Sequence, residues 1–118
     1  MTGHQRRVWL GVYVVALLVL TLAPLPVLAS RLAATDNLDK VVHFVLLGGL
    51  TVMLYWNLAV AGRPPLGRVV GPAIAFAALI ELLQAPLPYR TMDFWDLVWG
   101  AAGSIVGYFV IARLTARP

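Results

Sequence analysis

The sequence predicts an all-α membrane protein, a bundle of about four transmembrane helices with both termini on the cytoplasmic side. Three observations carry this. Of the 118 residues, 61% are hydrophobic and 12% charged, against about 25% charged in an ordinary soluble domain. A soluble chain this short buries too small a share of its surface to hide so much apolar area. Finally, the apolar residues fall into four charge-poor runs, each close to the ~20 residues that cross a hydrocarbon core.

The first run, 8–29, contains no charged residue. Arg6 and Arg7 before it and "VLAS" at its end resemble a cleaved signal peptide. Signal h-regions span only about 7–15 residues, so the run is expected to remain as an anchor. The second run, 41–62, is also uncharged and carries His43 near its start. The third, 69–87, is interrupted by Glu81 and Gln84, and the fourth, 94–112, by Asp96. Short loops are expected near 30–40, 63–68 and 88–93. The loop "GRPPLGR" is rich in Pro and Gly, which end helices. Residues 1–118 therefore read as one transmembrane domain with no soluble portion.

Direction follows from Lys and Arg, which favour the cytoplasmic side. Four spans place the N-terminus, the middle loop and the C-terminus together, with Arg6, Arg7, Arg63, Arg68, Arg113 and Arg117. The other side holds Arg31, Lys40 and Arg90. All five acids (Asp36, Asp39, Glu81, Asp93 and Asp96) fall toward that second, outer side. The net charge of +4 is spread singly and in pairs at run ends. No basic stripe suited to nucleic acid exists, and none is expected as a partner. There are no cysteines, which excludes disulfides, thiolate metal sites and thiol nucleophiles.

The polar residues are placed in register. Asp39 and His43 are four apart at the start of the second helix and share a face, with Lys40 beside them. Glu81 and Gln84 are three apart near the outer end of the third. Asp93 and Asp96 are three apart where the fourth begins, and carboxylates are favoured there by capping and the helix dipole. In the fourth helix Asp96, Gly100, Gly103 and Gly107 form one stripe that ends in a GxxxG pair, a surface on which membrane helices approach closely. Ala73, Ala77 and Glu81 form a similar stripe in the third. The carboxylates thus lie on small-residue faces and are expected to point at neighbouring helices. With the third helix centred near Ala78, Glu81 is about 4.5 Å farther out, still within hydrocarbon, where an ionised carboxylate needs a partner. His43, Arg90 and Lys40 are the candidates.

Each residue also has a plainer reading. Asp93 is a helix cap, Lys40 an interface anchor and His43 an interhelical hydrogen bonder. The whole cluster could be an ion-pair lock that only holds the bundle. Trp9, Trp56 and Trp95 read as belt residues at the membrane interface, and Trp99 as a lipid-facing or packing residue. No GxSxG, HExxH or phosphate-binding loop occurs. Catalytic residues are therefore not assigned, and neither metal nor cofactor is expected.

"DKVVHF", "ELLQ" and "RTMDFWDLVWGAAGSIVG" together resemble the VanZ-like family of small bacterial membrane proteins. Its pattern of DK-x-x-H-F, E-x-x-Q and R-x-x-D-x-x-D falls on Asp39, Lys40, His43 and Phe44, on Glu81 and Gln84, and on Arg90, Asp93 and Asp96. Later glycines match Gly103 and Gly107. Gly100 stands where the pattern has an Asn, so no role of that amide carries over. The motifs span residues 39–107, and taken together in this order they are fairly specific. The resemblance implies a multi-pass protein of the bacterial cytoplasmic membrane. It also implies a connection with low-level resistance to teicoplanin, a glycopeptide antibiotic bearing a fatty chain.

Four readings stay open at this point. The cluster binds or modifies an amphiphile, whether a membrane lipid, a lipid-linked wall precursor or a lipidated glycopeptide. Alternatively it is the acid–base centre of an envelope-lipid enzyme using His43 and a carboxylate, although the missing motifs weigh against an enzyme. It could be a structural or partner-binding subunit, with a homo-oligomer as one form. Last comes a proton-coupled transporter, which with four helices would need a dimer. The repeated "APLP" at 23–26 and 85–88 is the one hint of a duplicated hairpin.

Overall fold

In a computed structural model of the chain, residues 2–22, 36–60, 62–86 and 94–116 are described. They form four helices: α1 (Gly3–Leu22), α2 (Asp36–Leu58), α3 (Leu66–Gln84) and α4 (Phe94–Thr115). No strand occurs among the described residues. Each helix holds a stretch long and apolar enough to cross a membrane. The long axis measures 47 Å, comparable with the ~40–45 Å of a bilayer including its head groups.

Helix boundaries differ from the hydropathy-based ones for local reasons. α1 begins at Gly3 rather than near residue 8, because Thr2 and Gln5 form a reciprocal capping box. The Gln5 N–H donates to Thr2 Oγ1 at 3.1 Å and the Thr2 N–H to Gln5 Oε1 at 2.9 Å, satisfying two otherwise orphaned donors. Arg6 and Arg7 consequently lie inside the helix. α2 begins at Asp36, inside the stretch expected as a loop. It ends at Leu58, not 62. Gly62 takes a left-handed φ of 111°, and Pro64 disfavours a helical Arg63. Pro65, extended at ψ 150°, is the N-cap of α3. Pro72 lies inside α3 and removes one backbone bond to the carbonyl of Arg68. The "VLAS" stretch that resembles a signal-peptide end lies outside the described residues.

Burial is arranged as a bilayer requires. Val8, Val12, Val15 and Val19 of α1, Val41 and Val45 of α2, Leu82 of α3 and Phe109 and Leu114 of α4 are exposed. In water such apolar patches would be a liability; in lipid they are the solvated face. Of α1, only Leu17 and Thr21 are buried. Among the described residues α1 packs on α2 and α3 and makes no comparable contact with α4.

The most extensive packing joins α2 to α4. Its layers run in the same order along both helices, which are therefore parallel. Leu47 lies over Gly100, Thr51 Oγ1 meets Ser104 Oγ, and Tyr55 meets Tyr108 edge-on at 5.6 Å between ring centroids. Thr51 already donates to the Leu47 carbonyl at 2.9 Å, which makes Ser104 the donor in the hydroxyl pair. Between these layers the two backbones nearly touch. A Cβ on Gly103 would overlap the Phe44 carbonyl, and one on Gly107 would lie 2.6 Å from the Gly48 oxygen. Gly49 makes room for Tyr13 of α1, whose hydroxyl donates to the Leu46 carbonyl at 2.7 Å.

Candidate functional site

The α2–α4 seam continues one turn beyond Leu47 and Gly100, and there the polar residues converge. The repeat that pairs Thr51 with Ser104, 53 positions apart, brings His43 to Asp96. The small-residue face of α3 (Val70, Ala73, Ala77) leads to Glu81. His43, Glu81 and Asp96 are 7%, 3% and 2% exposed. His43 Nε2 lies 3.5 Å from Glu81 Oε1. One ligand atom from each of the three lies within 4.8 Å of the others. Three helices thus bury an imidazole and two carboxylates within 4.8 Å of one another, inside a chain that has few charges.

This arrangement allows three kinds of chemistry. A His beside a carboxylate can hold and relay a proton. Carboxylates and imidazole can take up hydroxyl or ammonium groups of a ligand. One nitrogen and two oxygen donors also suit a borderline divalent cation. They are the one such group of three among the described residues. The sequence alone expects no metal here, and the geometry supplies a donor set for one.

The remaining expected cluster residues divide. Gln84 is buried, but its Nε2 donates to the carbonyl of Thr21 at 2.7 Å. That carbonyl is in the last turn of α1, where no helical N–H reaches it, so Gln84 ties α3 to α1. The face shared with Glu81 is real, but one amide arm serves the fold. Lys40 is half-buried and lines a groove of about 310 Å³ with Val41, Phe44 and Trp99. Trp99 is partly exposed and packs at 6.3 Å from Phe44. Asp39 stands in α2 one turn ahead of His43. Arg90 and Asp93 lie outside the described residues. Gly100, Gly103 and Gly107 are buried in the seam.

Residues 10–115 match the model of the VanZ/LLP1 family. The chain belongs to that family. With four helices long and apolar enough to span, it is a multi-pass VanZ-like membrane protein. No curated protein and no solved structure matches it significantly. The trio of this VanZ-like chain falls on three of its motifs, DKVVHF, ELLQ and the Asp-rich start of α4. Sequence reasoning did not pick out the groove. Its signal was available, however, since Phe44 belongs to the first motif and Trp99 follows Asp96 by three residues.

Replacing Gln84 by Leu should loosen α1 without disturbing α2–α4. The expected cost is about 1–3 kcal/mol, that of a buried carbonyl left without its donor. It should be read as faster amide exchange in the last turn of α1, with α4 unchanged. Equal protection in wild type and variant would remove the tethering role.

Proposed function

We propose that this is a protein of the bacterial cytoplasmic membrane whose trio-bearing end faces outward and engages an amphiphile of the cell envelope. The carrying observation is the convergence of His43, Glu81 and Asp96 within 4.8 Å, within one turn along α2 and α4 of the residues that line an apolar groove. Lys40 and Phe44 flank His43 in α2, and Trp99 is one turn from Asp96 in α4, so the groove of about 310 Å³ adjoins the trio. An acyl chain suits Val41, Phe44 and Trp99. An anionic head group suits Lys40, with Arg90 as a second cation. Hydroxyl or amine groups suit the carboxylates and imidazole. A lipid head group, a lipid-linked wall precursor and a lipidated glycopeptide of the teicoplanin type share this chemistry. The orientation rests on the excess of Arg on the side that holds both termini.

The test is susceptibility of cells with and without the protein to teicoplanin and to glycopeptides lacking the fatty chain, with membrane levels of each variant measured. Glu81→Ala and Asp96→Ala should return the inhibitory concentration of teicoplanin to that of cells lacking the protein, compared at matched membrane levels of wild type and variant. Full protection by both variants would sink the reading. A second reading, acid–base catalysis on an envelope lipid, is favoured by the 3.5 Å His43–Glu81 approach. Turnover of a lipid substrate by the purified protein, lost in His43→Ala, would replace binding with catalysis.

A further inference from the structure

The far end of the seam from the trio holds a second site, built from different residues. Below the Tyr55–Tyr108 layer a cavity of about 590 Å³ opens between α1, α2, α4 and the turn before α3. Arg6, Tyr55, Trp56, Arg63 and Thr115 are among its lining residues, and no acidic residue lines it among the described residues. Both guanidiniums are held by rings. Arg6 lies over Trp56 at 5.4 Å from the centroid, and Arg63 over Tyr108 at 5.7 Å. Tyr108 is itself fixed by donating to the Pro64 carbonyl at 2.7 Å. Arg6 Nη1 donates to the Trp56 carbonyl at 3.2 Å, and Asn57 Nδ2 holds the Arg6 carbonyl at 3.1 Å. The buried Nε of Arg6 has no hydrogen-bond acceptor among the described residues.

Two features set this cavity apart from an ordinary basic membrane flank. A flank anchor needs only a long side chain reaching water. Here each guanidinium lies over an aromatic ring, and Arg6 is also held by its bond to the Trp56 carbonyl, so two fork-shaped donors that suit tetrahedral oxyanions border one cavity. The volume also falls in the range of small-ligand pockets, roughly 300–1,000 Å³, larger than a lone ion needs. We propose that this cavity binds a phosphate group, with Arg6 and Arg63 as its ligands and room for the ester substituent that the phosphate carries. The source is either a free phosphate compound or the head group of an anionic phospholipid in the adjoining leaflet. This site is independent of the trio and of the function proposed for it.

The test uses the full chain in nanodiscs of phosphatidylcholine, titrated with phosphatidylglycerol in one arm and inorganic phosphate in the other. Bound lipid is counted by native mass spectrometry, and phosphate binding is read by thermal shift. The double variant R6Q/R63Q should bind at least about tenfold more weakly, the loss expected when charge-assisted hydrogen bonds go. R68Q/R113Q removes the same charge from exposed positions outside the cavity and should bind as wild type. Saturation by phosphatidylglycerol alone identifies a lipid head group, and saturation by inorganic phosphate a soluble ligand; either supports the site. Equal losses in the two double variants would reduce the effect to diffuse charge and overturn the proposal, as would no loss in either. Arg63 is exposed and takes no part in the α1–α2 hydrogen bonds, so R63Q alone keeps the test valid should Arg6→Gln disturb packing.

Discussion

Gly103→Leu should abolish the folded bundle, and Gly103→Ala should destabilise it by about 3 kcal/mol or more, above the usual 1–3 kcal/mol of overpacking. The reason is the identity of the neighbour. A Cβ at 103 would overlap the carbonyl oxygen and the carbon atoms of Phe44. Backbone cannot rotate aside as a flexible side chain can, so α2 and α4 would have to separate. Separation would also pull apart the Thr51–Ser104 hydroxyl pair and shift His43 away from Asp96. The matching control is Gly11→Ala in α1, where a Cβ would meet nothing within 4 Å and helix propensity improves by about 1 kcal/mol. Unfolding in detergent mixtures, followed by circular dichroism, should separate the two. A Gly103→Ala protein as stable as Gly11→Ala would mean that the close approach is not part of the folded state.

Two single replacements within the trio should together cost more than the double replacement does. His43→Leu and Glu81→Leu are each expected to destabilise by about 3 kcal/mol, because removing one member of a buried pair strands the other. The double variant His43→Leu/Glu81→Leu should cost less than the two added together, with a coupling of at least about 1 kcal/mol. Groups 3.5 Å apart in a setting that is 7% and 3% exposed cannot behave independently. Additivity would break the pair as an energetic unit. The same variants bear on function. If the trio serves only as a lock, the double variant should regain activity along with stability. If it binds or transforms a ligand, the double variant should be folded and inactive.

Much of this was legible from residue order. The four apolar runs announced four helices, because nothing but a helix satisfies so long an apolar backbone in lipid. Four-residue spacing put Asp96 on the glycine face of α4 and Glu81 on the alanine face of α3, and small faces are where membrane helices meet. His43 followed from its position early in α2. Gln84 shows the limit. Its shared face with Glu81 was readable, but its bond to Thr21 depends on how deep α1 sits against α3, which no spacing within α3 encodes. Lys40 shows a second limit, since its neighbours Val41, Phe44 and Trp99 belong to two helices whose relative rotation is a packing outcome. Arg6 and Arg63 looked like ordinary flank charges because Trp56 and Tyr108, which hold them, are about 50 residues away along the chain.

By itself the sequence determined the membrane as solvent, the number of helices, and the faces of α3 and α4 that turn inward with their carboxylates. These are consequences of composition and of the 3.6-residue period, both local to each helix. Only the tertiary structure decided the parallel α2–α4 register, the 3.5 Å meeting of His43 with Glu81 and the second cavity at the opposite end. Those depend on the depth and rotation at which one helix settles against another. That is set by a few contacts between distant residues, above all Gly103 on Phe44 and Gly107 on Gly48, whose closeness can be measured only once both helices are in place.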